Sequence, residues 1–239
     1  MAEPGREPRR RTSRNRARIL EAAMGCFAAD PDASMDDVAQ AAGVVRRTVY
    51  AHFPSREALV DGIAEEAAAA LAAAVDRPDP EEPDLALAVA ALMTWPVGDR
   101  FRVLLSFARK EVGDERIGEL IAPLRTRTLA IVERGRRSGV FSAYLPPVVL
   151  VGMLEGLTMA TLEQANRGMV HDAGESVALA ALVLMGVPPE RAVAVVQRAR
   201  RTQWDQHRGD QHRGDQHRGD QHRAPAPGGN AVGRGDTRR

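Results

Sequence analysis

The chain has 239 residues, 33 basic against 32 acidic side chains for a formal net charge of +1, and is 44% hydrophobic and 27% charged. Those proportions are those of a folded globular chain, at a length for one large domain or two small ones. The near-neutral balance excludes a uniformly basic nucleic-acid coat, so any basic surface is local. Aromatic residues are only 4%, so the core is expected to be aliphatic. A single Cys26 excludes an internal disulfide and reads as a small buried spacer. The longest apolar runs, 85–95 and 177–187, fall short of the roughly 18 residues of a bilayer span, so no membrane partner is expected. Seven arginines between Arg6 and Arg18 are not followed by an apolar stretch, which argues against a secretory signal and for a cytoplasmic protein.

In chain order, residues 1–12 read as a flexible basic arm. A helix is expected over Arg14 to Ala29, with Ile19, Leu20, Ala23, Cys26 and Phe27 at helical spacing and Asp30-Pro31 as its stop. Ser34 can cap a second helix, with Asp37 three residues on completing a capping box. Gly43 then supplies a left-handed turn. A short helix, Val45 to His52, is closed by Phe53-Pro54, and Ser55 caps an alanine-rich helix to about Val75. The stretch 77–83, RPDPEEP, is a break between helical groups. Beyond it, helices are expected at Leu85 to Trp95, Asp99 to Val112, Arg116 to Ser138, Pro146 to Asn166, Ser176 to Met185 and Pro189 to Arg201, punctuated by glycine and proline. No period-two pattern is sustained, so the chain is expected to be all-α. Residues 204–239 contain four copies of a pentapeptide, DQHRG three times and then DQHRA, and are expected to be a disordered tail.

Residues 34 to 59, SMDDVAQAAGVVRRTVYAHFPSREAL, combine a capped helix, a glycine turn and a second short helix. That arrangement lets one helix cross a phosphate backbone while the next enters the major groove of double-stranded DNA. On the second helix Val49 and Phe53, four apart, face the core, which turns Arg47 and Ala51 outward. Arg46 and Arg47 stand near its N-terminal end, where arginine can give two parallel donors to guanine. Thr48 can meet a thymine methyl or a base edge. Tyr50, His52 and Arg56 flank the helix as candidate phosphate contacts, and Ser34 and Ala51 complete the set of candidate DNA-binding residues.

Taken together these residues closely resemble the DNA-binding domain of the TetR family of transcriptional regulators. The matching residues are Phe27, Ser34, Ala42-Gly43-Val44, Thr48-Val49-Tyr50-Ala51-His52-Phe53 and Arg56-Glu57-Ala58-Leu59, within Arg14 to about Val60. Two positions depart from the family: Val45 stands where many members carry a small polar cap, and Ala51 where larger side chains often sit. The latter leaves base reading to Arg46, Arg47 and Thr48. The resemblance implies a DNA-binding domain over 13–60 and a helical ligand-binding and dimerisation domain over 61–203. It further implies a homodimer on a palindromic operator, most often a repressor released by a small-molecule effector, with no cofactor or metal. Gly152, Gly156 and Ala160 form a smooth ridge, with Met153 and Leu157 alongside, suited either to a helix–helix dimer interface or to packing against its own domain. Candidate ligand-binding residues are Trp95, Phe101, Leu105 and Met153 as apolar lining, with Arg109 and Thr158 as polar anchors.

Two other classes are weaker. His171 with Asp172, or Glu111 with Asp114, could serve as acid–base pairs, yet no phosphate loop, nucleophile elbow or metal-spaced set accompanies them, so an enzyme is not expected. A nonspecific architectural DNA protein is disfavoured by the near-zero net charge. His207, His212, His217 and His222 recur every five residues, which on a helix turns each by about 140° from the last, so no metal site is expected.

Overall fold

The structure, a computed structural model, describes residues 6–142, 144–172 and 174–202, apart from the side chains of 6–12, 103–107, 109 and 110. All regular structure among the described residues is helical: α1 (Arg6–Ala29), α2 (Met35–Ala41), α3 (Arg46–His52), α4 (Arg56–Ala74), α5 (Pro83–Val112), α6 (Asp114–Arg137), α7 (Pro147–Asn166) and α8 (Glu175–Leu184). A further helix, α9, occupies 189–202.

Two of these differ from the sequence reading. The first helix begins at Arg6 rather than Arg14, because the arginines and glutamate there are good helix formers and Pro8 falls in the first turn, where a missing N–H costs nothing. The two helices expected on either side of Pro96 are a single helix of 30 residues, with Pro96 inside it. An interior proline costs about 3 kcal/mol. That cost is offset by packing on both sides, where Leu92, Trp95 and Phe101 are all buried. The repeat tail lies outside the described residues.

α5 therefore runs about 45 Å, long enough to serve two cores. Its first half contributes Leu85, Leu87 and Leu92 to a core shared with Ile131 and Val132 of α6, Leu150 and Leu154 of α7 and Leu182 of α8. Its second half contributes Phe101 and Ala108 to the core of α1–α4, built on Ile19, Leu20, Phe27, Val38, Val49, Phe53 and Leu59. The expected aliphatic character holds in both.

α7 corrects the run-length reading: it is a helix of 20 residues long and apolar enough to cross a membrane by length and composition. Reading apolar runs overlooked it because Glu155 divides it into two shorter stretches. Here Leu150, Val151, Leu154 and Leu162 are buried in the bundle, and Glu155 is ion-paired to Arg125 of α6.

Candidate nucleic-acid interface

The helix pair forms as its local chemistry requires. Ser34 Oγ accepts from the Asp37 N–H at 3.2 Å, while the Asp37 carboxylate accepts from the Ser34 N–H at 2.8 Å and from its hydroxyl at 2.7 Å. These bonds hold the Asp37 carboxyl below its ordinary range, the hydroxyl first and the backbone N–H second. The Ser34 hydroxyl is thus committed to the cap. Gly43, at φ +61°, turns the chain in the left-handed region. α3 begins with Val45 at its N-cap and no side-chain cap bond, as the departure from the family pattern implied. Val49 and Phe53 anchor α3 in the core.

That anchoring leaves Arg46, Arg47, Tyr50 and Ala51 exposed, with Thr48 and His52 half-buried beside them. The two arginines are not equivalent. Arg46 Nη1 donates to Asp36 of α2 at 2.7 Å, and its guanidinium lies over the Tyr50 ring at 5.3 Å. The Tyr50 hydroxyl, then Asp36, push Arg46 further toward its charged form. Arg47 has no ion-pair or hydrogen-bond partner among the described residues. Its donors are uncommitted, as a base reader's should be.

Arg56, the candidate phosphate contact at the start of α4, also has partners within the fold: its guanidinium donates to the carbonyls of Pro31 and Ala33, lies over the buried Phe27 ring at 4.4 Å and sits 3.7 Å from Glu111 of α5. The α1–α2 loop has carbonyls with no helical partner, and a half-buried arginine at the start of α4 is placed to satisfy them. A basic residue next to the reading helix carries no sequence mark distinguishing the two roles.

Ionic contacts tie α1 and α4 to α5 and α6. Arg116, in the first turn of α6, donates to both carboxylate oxygens of Asp61 at 2.8 and 3.2 Å and to Glu65 at 3.0 Å, both on α4. Bonding to Asp61 raises the Arg116 pKa. Arg100 of α5 pairs with Glu21 of α1 at 2.7 Å. The sequence reading missed these residues, because partners some fifty to eighty positions apart leave no local pattern.

A cavity of about 190 Å³ opens among α4, α5, α6, α7 and α8. Of the six residues expected to bind a ligand, Trp95 and Thr158 line it. Phe101 does not; one end of α5 belongs to each core, and Phe101 is buried at the other end, with α1–α4. Met153 faces outward, 43% exposed. The Leu105 and Arg109 side chains lie outside the described residues. Arg125, Glu155, Thr94 and Thr128, unmarked in the sequence, supply the other polar lining.

On the outer face of α7, Gly152, Gly156 and Ala160 are exposed, together with Val148, Val149 and Met153. A Cβ added at Gly152 or Gly156 would meet nothing within 4 Å, so neither glycine is required by packing within the chain.

With this geometry in place, residues 19–63 match the family described as bacterial regulatory proteins, tetR family. The chain is 42% identical over 67 residues to the HTH-type transcriptional repressor LfrR of Mycolicibacterium smegmatis, a stretch covering 28% of this chain and 35% of that protein. The match thus spans about a third of the curated relative's length. The fold resembles that of the TetR-like regulator LfrR from Mycobacterium smegmatis, solved with proflavine, at a TM-score of 0.55 and 24% identity over 73% of this chain and 95% of that one. It also resembles RolR solved with resorcinol, at 0.53 and 19%, over 79% and 96% of the two chains. At these identities the two structures establish the shared fold only.

Proposed function

We propose that this chain, whose residues 19–63 match the tetR family of bacterial regulatory proteins, is a dimeric, sequence-specific repressor, released from a palindromic operator by a small molecule. The observation that carries the reading is the outer face of α3. It presents the uncommitted Arg47 between Arg46 and Ala51, on a helix anchored by Val49 and Phe53 and positioned by the capped α2. Arg47, Arg46 and Thr48 read bases, and Tyr50 and His52 contact the backbone.

Dimerisation uses the exposed ridge of Gly152, Gly156 and Ala160, which lets a second α7 approach closely while Val148, Val149 and Met153 are covered. The two reading helices then lie about 34 to 36 Å apart, one DNA turn. The cavity holds the effector, and the Arg116–Asp61 contact passes its occupancy from α6 to α4. The protein acts in the cytoplasm, where its DNA is.

Selection from random duplex DNA with the full chain tests this reading. An inverted repeat whose half-site centres lie about one turn apart is the expected result. A selected pool without such a repeat would refute it.

A further inference from the structure

The cavity's polar lining is one-sided in its hydrogen bonding. Thr94 Oγ1 donates to the Ala90 carbonyl at 2.8 Å, Thr128 Oγ1 to Leu124 at 3.0 Å and Thr158 Oγ1 to Leu154 at 2.9 Å, each one turn back on its own helix. A threonine hydroxyl has one proton to give, so each of these presents only lone pairs to the cavity. The two charged groups of the lining are spent on each other: Arg125 Nε and Nη2 meet the two Glu155 carboxylate oxygens at 2.7 and 3.0 Å. A charged ligand has to compete with that two-bond pair for whichever of the two groups it would engage.

The remaining wall is apolar. Trp95 is 6% exposed and closely seated on Gly174, where a Cβ would come within 2.6 Å of it; Leu87, Ile121, Leu154 and Leu162 complete a surface for a ring. The volume, about 190 Å³, somewhat exceeds the roughly 150 Å³ in which a single benzene ring binds.

We propose that this cavity takes an uncharged, ring-sized apolar molecule carrying a hydroxyl, whose proton is accepted by a threonine Oγ, and that it discriminates against carboxylates and amines of the same shape. The assignment rests on the effector reading above and narrows it to a chemical class. It also sets this chain apart from a pocket selected for positive charge, since Glu155 is already neutralised by Arg125.

Calorimetric titration of the full-length chain with para-propylphenol, para-propylanisole, para-propylbenzoate and para-propylbenzylamine tests the proposal. The phenol is expected to bind about three- to tenfold more tightly than the anisole, which has the same ring without the donor, as one net hydrogen bond allows. Benzoate and benzylamine are expected to be weaker than the phenol. Thr94→Val, Thr128→Val and Thr158→Val, made singly, preserve shape, and at least one should bring the phenol-to-anisole ratio to about one without lowering the melting temperature. Equal binding of phenol and anisole, tighter binding of either charged probe, no binding of any probe, or an unchanged ratio in all three variants would overturn it. Operator binding measured on the same samples keeps the two readings separate: a chain that holds a selected inverted repeat but shows no phenol preference loses this assignment and retains the regulator reading.

Discussion

Two helices of this chain present faces that nothing else in the described fold covers, and the faces are chemical opposites. On α3 the exposed surface is basic and polar, with Arg46, Arg47 and Tyr50 around the small Ala51. On α7 it is apolar and nearly flat, with Val148, Val149 and Met153 beside Gly152, Gly156 and Ala160. A basic face retains hydration until an anion replaces it, whereas an exposed apolar ridge gains from being covered by a surface of its own kind. The same protein thus carries one exposed face that is basic and polar and one that is apolar.

The sharpest way to break that comparison is to put charge on α7. Gly156→Arg introduces a side chain into space that is open within the chain, so each subunit should keep its helical fold, as read by circular dichroism. The dimer should be lost in sedimentation, and operator affinity should fall about a hundredfold or more as two linked half-site contacts become one. A variant that remains dimeric removes α7 from the interface.

Arg47→Ala tests the other face. Operator affinity should fall by about 1–3 kcal/mol, with preference relaxed at one base pair of each half-site, as read by selection with the variant. Retained preference at every position would assign base reading to Arg46 and Thr48 instead.

Arg56→Gln separates a structural cation from a reading one. Loss of the donors to Pro31 and Ala33 should destabilise the chain by about 1.5–3 kcal/mol in denaturant unfolding. For the variant that remains folded, the salt dependence of operator binding should be unchanged, since no counterion is released at a guanidinium turned into the fold. A slope reduced by one unit would return Arg56 to the phosphates.

The smallest effect is expected at the cap. Ser34→Ala should lower the melting temperature by about 2–4 °C at neutral pH. Because Ser34 depresses the folded-state pKa of Asp37, that bond stabilises the fold above the unfolded aspartate value of about 3.9 and is lost as pH falls through the lower folded value. The difference between wild type and variant should therefore shrink in melts run progressively below about pH 4.

How much of this was legible in advance follows from the range over which each interaction acts. The cap at Ser34, the turn at Gly43, the uncapped start at Val45 and the core-facing Val49 and Phe53 are set by residues within about five positions of one another. Sequence spacing alone therefore determined α2, α3 and the outward position of Arg47. Helical periodicity likewise put Gly152, Gly156 and Ala160 on one ridge of α7, but whether that ridge faces outward or into its own domain was decided by packing. What periodicity cannot carry is the choice of partner across the fold. Whether Arg56 finds the carbonyls of Pro31 and Ala33, whether Pro96 ends a helix or is held inside one, and whether Phe101 faces the cavity or the α1–α4 core were decided only when distant helices came together. The same holds for Arg125 with Glu155 and Arg116 with Asp61. Their free energies depend on desolvation and distance between groups far apart in the chain, and those quantities exist only in the packed structure.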